Sequence, residues 1–377
     1  MIIALLSAGL LVTAWESGSD DIADPATDTP EEDPTPTEED PTPEDTVEAA
    51  APTPDESEVP VALPDDDAAT PEVLLVSSGD MLVGTSGNDT IALEAEIDGP
   101  LVVDAAAGND EIDLTEVFDT TDGVPQVLAA GSTINGGAGN DVIQAHGDGT
   151  VLQSGDGRDD IAGNFSDSTI DGGFGNDSLT ITGAGNLLSG GDGADAIIID
   201  GTDNTVHGGS GNDTITATGG GVITGGGGFD FIEILMQPDD IAGLDLTGGT
   251  GIDVFELHFD DLPGDATAPA LDDPDAILPR DIGVIQDFDG GNDLLVIQLP
   301  SDSAGYSFGE LTLREVTDPD SGITGTEATL SYIHENGAAR ALTVHMAGVS
   351  NLPASSIQLV DPVILPAPNL PPVPPIA

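Results

Sequence analysis

Residues 136–141 read GGAGND, and the same frame returns as SGDGRD at 154–159, GGFGND at 172–177, GGDGAD at 190–195 and GGSGND at 208–213. The closing aspartates, Asp141, Asp159, Asp177, Asp195 and Asp213, stand 18 residues apart. A sixth loop, GGGGFD, closes on Asp230 one residue early, and a seventh, GGTGID, closes on Asp253 after a longer step. Repetition at a fixed period marks an array of stacked units. A second period, of nine, runs beneath it through Ile143, Leu152, Ile161, Ile170, Leu179, Leu188, Ile197, Val206 and Ile215. Ile223 then comes one residue early and Ile232 follows, which accounts for the short step to Asp230. Nine residues are too few for a helical hairpin. They fit a sharp turn of about six residues followed by a strand of about three with one inward side chain. Two nines make one coil of a solenoid.

Coil geometry puts residues 18 apart on one edge, in strands about 4.8 Å from their neighbours. The aspartates therefore form a ladder. At about 5 Å and an effective dielectric near 20, two carboxylates repel by roughly 3 kcal/mol, so the ladder resists folding without a counter-charge. The chain has no lysine, and its only basic residues are Arg158, Arg280, Arg314 and Arg340. A hard divalent cation is the remaining source. The loop glycines suit one: Gly137, Gly139, Gly155, Gly157, Gly173, Gly175, Gly191, Gly193, Gly209, Gly211, Gly226 and Gly228 admit positive φ and turn backbone carbonyls in beside the carboxylates. Several flexible oxygen ligands favour calcium over magnesium, which demands a tighter octahedron and keeps its waters.

The loops and the strands that follow spell G-G-x-G-x-D-x-U-x, as in GGAGNDVIQ, GGFGNDSLT and GGSGNDTIT. On these residues the segment 84–257 resembles the RTX (repeats-in-toxin) calcium-binding family. The resemblance implies an all-β fold, a right-handed parallel β-roll solenoid, with extracellular calcium binding and export from a bacterium through type I secretion machinery. It does not imply toxicity. Two earlier loops, GTSGNDTIA and AAAGNDEID, add Asp89 and Asp110 at irregular steps, and strict register runs from Ile134 to Ile232. The chain departs from the fullest family pattern at the alternate turns, which carry Thr150, Ser168, Asn186 and Asn204 where a second acidic ladder would stand. A one-sided roll is expected, with about six calcium ions along one edge and hydrogen-bonded turns along the other.

Acidic residues number 71 against 4 basic ones, for a formal charge of −67. Such a chain does not bind nucleic acid or an anionic membrane surface by electrostatics. The absence of cysteine excludes disulfides and thiolate metal sites.

In order along the chain, residues 1–15 are apolar and read as an export signal or anchor-like segment, though too short to cross a bilayer core of about 30 Å. Residues 16–71, dense in Asp, Glu, Pro and Thr, read as a disordered linker. The β-roll is expected over 72–259 and a loop over 260–280. A β-rich capping segment follows over 281–360, where Asp287, Asp289 and Asp293 in DFDGGND offer a further calcium loop or a plain acidic hairpin. The tail 361–377 is proline-rich and extended.

Catalytic signatures are missing. His334-Glu335 is followed by Asn336, Gly337 and Ala338, so H-E-x-x-H fails, and no serine sits in G-x-S-x-G. The reading is an exported, non-catalytic calcium-binding protein with a structural or adhesive role, whose biological partner is unknown. The alternative places an enzymatic or adhesive activity in 281–360.

Overall fold

The computed structural model describes residues 61–62, 72–76, 81–93, 99–115, 130–236, 243–259, 278–299, 306–317, 322–334 and 339–360. The apolar start, nearly all of the acidic span 16–71, most of the loop 260–280 and the tail 361–377 lie outside the described residues.

Successive strands alternate between two sheets, one of 14 strands and one of 12, and within the roll all pairing is parallel. The register is the period read from the sequence. In the smaller sheet Ile143, Ile161, Leu179, Ile197, Ile215 and Ile232 are neighbours in turn, and the row continues to Phe255 and Leu295. In the larger sheet Ile134, Leu152, Ile170, Leu188, Val206, Ile223, Leu246 and Ile285 do the same. All of these side chains are buried, and each contributes about 1.5–3 kcal/mol by leaving water. The chain is thus an all-β, mostly parallel solenoid.

The strands are longer than the expected three residues. Asn204–Ser210, for example, has 7 residues and takes in the first half of its glycine loop. The reason is that the loop's leading glycines keep pairing across coils, as Gly173 does with Gly191. The two sheets also differ inside. Several strands of the smaller sheet turn two bulky residues inward, such as Leu179 with Ile181 or Ile232 with Ile234, and others pair one with alanine, as Ile143 with Ala145. Strands of the larger sheet turn in one aliphatic residue and then a glycine or Ser154. Phe165 is fully buried, and it needs Gly163, because a Cβ there would strike its ring.

The insertions leave the stacking intact. The strands Leu244–Gly251 and Val254–Phe259 take their places in the two sheets despite the longer step between Asp230 and Asp253. Leu278–Ile285 and Leu294–Gln298 continue the two sheets, and Ile357–Val360 adds the last strand of the smaller one. Tyr306–Thr317, Thr324–His334 and Ala339–Met346 form an antiparallel meander on the end of the larger sheet. The β-rich C-terminal segment therefore extends the roll's own sheets. At the other end Val61–Ala62, within the span read as linker, pairs in parallel with Met81–Val83.

Candidate metal centre

The ladder exists, and it is buried. Asp89, Asp110, Asp141, Asp159, Asp177, Asp195, Asp213, Asp230 and Asp253 are each at most 3% exposed. They follow one another in register, the Oδ1 of each accepting the backbone N–H of the aspartate one coil earlier. Asp141 N–H donates to Asp159 at 2.8 Å, Asp159 to Asp177 at 2.8 Å, Asp177 to Asp195 at 2.8 Å and Asp195 to Asp213 at 2.9 Å. The series spans the irregular steps as well, from Asp89 to Asp110 and Asp110 to Asp141, and from Asp213 through Asp230 to Asp253. The expected repulsion between neighbouring carboxylates is present, but it does not act alone. An amide dipole lies between each pair, and repulsion is softened at one oxygen of every rung.

The other oxygen is different. Among the described residues, the buried side-chain oxygens without a hydrogen-bond partner are Thr150 Oγ1 and the Oδ2 atoms of Asp110, Asp141, Asp159, Asp177, Asp195, Asp213 and Asp230. In the loops that begin with glycine, this oxygen lies against the loop's first residue. A Cβ built on Gly190 would stand 2.5 Å from Asp195 Oδ2 and 2.5 Å from the carbonyl of Gly208 in the next loop. At Gly208 the same two distances, to Asp213 Oδ2 and the Gly225 carbonyl, are 2.6 and 2.5 Å. Glycine is required here because two oxygens converge on the space a side chain would fill. At the one regular loop that begins with serine, Ser154 Oγ donates to the Gly172 carbonyl at 2.6 Å.

Further carbonyls face the next coil. Those of Gly137 and Gly139 occupy the space that a Cβ on Gly155 or Gly157 would fill, and the pattern repeats through Gly173 and Gly175, Gly191 and Gly193, Gly209 and Gly211, Gly226 and Gly228, then Gly249 and Gly251. All of these have positive φ. Carboxylate oxygens without a donor, with carbonyl oxygens beside them, form a hard, anionic ligand set of the kind calcium takes.

Electrostatics agree with the geometry. Burial raises the Asp110 carboxyl from its ordinary 3.8 to about 7, opposed by the amide of Asp89 and reinforced by Asp141 and Asp89. Asp177 is raised to about 7, and Asp141, Asp213 and Asp253 to about 6, again mainly by burial. Asp159, Asp195 and Asp230 shift the same way for the same first cause.

The two ends are closed by protein donors. Asp89 Oδ2 accepts from Thr85 N–H at 2.7 Å and from Thr85 Oγ1 at 3.2 Å. At the far end Asp293 continues the ladder, taking Asp253 N–H at 3.0 Å on Oδ1 and Asp289 N–H at 2.7 Å on Oδ2. Asp287 caps the last glycine loop, accepting from Gly248 N–H at 2.9 Å and Gly249 N–H at 2.7 Å. Asp289 takes Gly291 N–H and the Asn292 amide. DFDGGND thus serves as a terminal rung with its oxygens met, and an open cleft of about 540 Å³ lies between it and residues 348–353.

The opposite edge is the neutral counterpart. Thr150 N–H donates to Ser168 Oγ at 3.0 Å, Ser168 N–H to Asn186 Oδ1 at 3.0 Å and Asn186 N–H to Asn204 Oδ1 at 2.9 Å. Here the second side-chain atom of each asparagine is an amide nitrogen, and it finds a carbonyl: Asn186 Nδ2 donates to Phe165 O at 2.8 Å and Asn204 Nδ2 to Gly183 O at 3.0 Å. The acidic edge has the same ladder without those donors.

One further row was not read from the sequence. Asn88, Asn109, Asn140, Asn176 and Asn212 accept, on Oδ1, the N–H of the residue one coil later at 2.8–2.9 Å. The asparagine before the aspartate in each GND triplet was its only signal. A search with family models finds no match to this chain, and a search of curated proteins finds none either.

Proposed function

We propose that the chain is a calcium-binding β-roll of the RTX type, exported from a bacterium, whose folding is coupled to external calcium and which has no catalytic activity of its own. The observation that carries this reading is the set of seven buried Oδ2 atoms in register, none with a donor, those of the glycine-led loops each converging with a carbonyl of the next coil. Burying an unpaired carboxylate costs several kcal/mol, and the chain supplies no lysine to neutralise one. A divalent ion in each interval between rungs does so, held by the carboxylates and by loop carbonyls. Seven rungs enclose six intervals, so about six ions are expected. Calcium concentrations of about 10⁻⁴ to 10⁻³ M outside the cell match the affinities of extracellular calcium modules. Inside, where free calcium is scarce, the ladder is uncompensated and the chain stays extended for passage through an export channel. The ordered roll then serves a structural or adhesive role at the cell surface or in the medium.

The test is circular dichroism of chelated protein titrated with calcium. A β-signal that grows cooperatively, with about six ions bound per chain by equilibrium dialysis, is expected. Full β-structure in excess EGTA at pH 8 refutes the coupling.

A further inference from the structure

A second group of metal-ligating side chains lies on the outer face of the smaller sheet, apart from the ladder. Glu233 and Glu256 are Cα partners on the parallel strands Phe231–Met236 and Val254–Phe259. They alternate outward while Ile232, Ile234, Phe255 and Leu257 fill the core. His258 follows Glu256 by two residues and so shares its face. One ligand atom from each of the three lies within 4.8 Å of the other two. The side chains of His258 and Glu233 are 26% and 25% exposed, with Nδ1 and Oε1 3.7 Å apart.

Two carboxylates and one imidazole meet on this face. Like charges directly opposite on neighbouring strands are destabilising, and burial together with Glu233 holds the Glu256 carboxyl above the ordinary carboxylate range, with His258 pulling it the other way. The surroundings orient the ligands. Thr216 Oγ1 donates to Glu233 Oε2 at 3.2 Å, leaving Oε1 toward the histidine. Gln298 Nε2 is placed 3.5 Å from His258 Nε2. Turned so that its oxygen faces the ring, that amide keeps the imidazole proton on Nε2 and presents the Nδ1 lone pair to an ion.

We propose that Glu233, Glu256 and His258 form a site for a divalent transition metal, zinc by preference, that clamps two coils together where the regular spacing of the roll gives way to longer connections. An imidazole nitrogen with two carboxylates is a donor set zinc accepts and calcium, which takes six to eight oxygens, does not. The geometry is within reach. Some point lies no more than about 2.8 Å from three atoms spaced in this way, so side-chain shifts of under about 1 Å bring them to the ~2.0–2.2 Å of zinc bonds, with water as fourth ligand. The clamp ties two neighbouring strands on either side of the longer step between Asp230 and Asp253. A cross-link adds most stability where the connection it closes is long.

The experiment uses the full chain folded in excess calcium, titrated with Zn²⁺ by calorimetry and with Co²⁺ by visible absorption. One zinc per chain is expected, retained against the calcium, with ligand-field bands in the cobalt form. Glu256→Gln should weaken zinc at least tenfold and His258→Gln should abolish the cobalt bands, both keeping the calcium-induced β-signal. Should His258→Gln fail to fold, Glu233→Gln keeps the Thr216 contact and carries the comparison. Zinc that calcium displaces completely, zinc affinity equal in the folded variants and the parent, or no zinc binding at all, overturns the site. None of these outcomes bears on the calcium ladder, which has its own readout.

Discussion

Replacing Asp177 with asparagine tests the ladder most directly, because the substitution converts one rung of the acidic edge into a rung of the neutral edge. The new side chain is isosteric and its Oδ1 still accepts Asp159 N–H, as Asn186 Oδ1 accepts Ser168 N–H. What changes is the second atom, from an unpartnered oxygen to an amide that can donate to a carbonyl. In the parent, Asp177 is raised from 3.8 to about 7, so ionising it at pH 8 costs the metal-free fold about 4 kcal/mol at most. Relaxation reduces this, and a stabilisation of roughly 2–4 kcal/mol is expected for Asp177→Asn in EGTA. With calcium the sign reverses. Asp177 borders two intervals, and an ion at 100 times its Kd contributes about 2.7 kcal/mol, so losing one or two ions costs roughly 3–5 kcal/mol. The assay is urea unfolding followed by circular dichroism, once in saturating calcium and once in EGTA with an osmolyte that brings the metal-free chain into a measurable transition. The opposite signs are the signature. A variant destabilised equally in both conditions would show that Asp177 is a packing residue and that no ion sits beside it.

The remaining tests use the same assay. Because the ladder carboxyls are raised in the folded state, the fold binds protons more tightly than the unfolded chain; metal-free β-structure should increase as pH falls from 8 through about 7 and 6 toward 4. In calcium, protons compete with the ion, so the calcium midpoint should rise over the same window, and a midpoint independent of pH refutes the assignment. Gly175→Ala should cost at least about 3 kcal/mol, because φ there is +139° and a Cβ would enter the Gly157 carbonyl. Gly227→Ala, whose Cβ meets only Thr250 Oγ1 at 3.4 Å, should change stability by under about 0.5 kcal/mol. Asn186→Ala removes the acceptor for Ser168 N–H and the donor to Phe165 O and should cost about 2–3 kcal/mol without altering the number of calcium ions bound.

The fold was legible because two independent periods agreed. The aliphatic row from Ile143 to Ile232 is the buried seam of the roll, and the single residue missing before Ile223 is the one that shortens the step from Asp213 to Asp230. The exposure of the aspartates was not legible. Spacing says that Asp159 and Asp177 share an edge, but whether their side chains turn outward or lie under the loop depends on the glycine φ values and on which amide the carboxylate meets. Periodicity carries neither. Asp293 escaped the ruler because it stands 40 residues beyond Asp253, although the GGND that contains it ends in the same triplet as the regular loops. The cap escaped for a related reason. Leu295 pairs with Phe255, yet with 18-residue spacing gone, pairing across a long connection leaves no local mark in the chain.

The rungs also have a direction. Every carboxylate from Asp110 to Asp293 receives the amide of the coil before it, so each coil presents a finished acceptor to its N-terminal neighbour and needs one from its C-terminal neighbour. Only the last of these is completed from within its own turn, by Asp289. The roll is therefore a one-way zipper with its starting clasp at Asp293. Shortening it from the N-terminal side removes whole coils and leaves a smaller, intact stack, whereas a cut before residue 287 strips the clasp and leaves the amide of Asp253, the new last rung, without its acceptor.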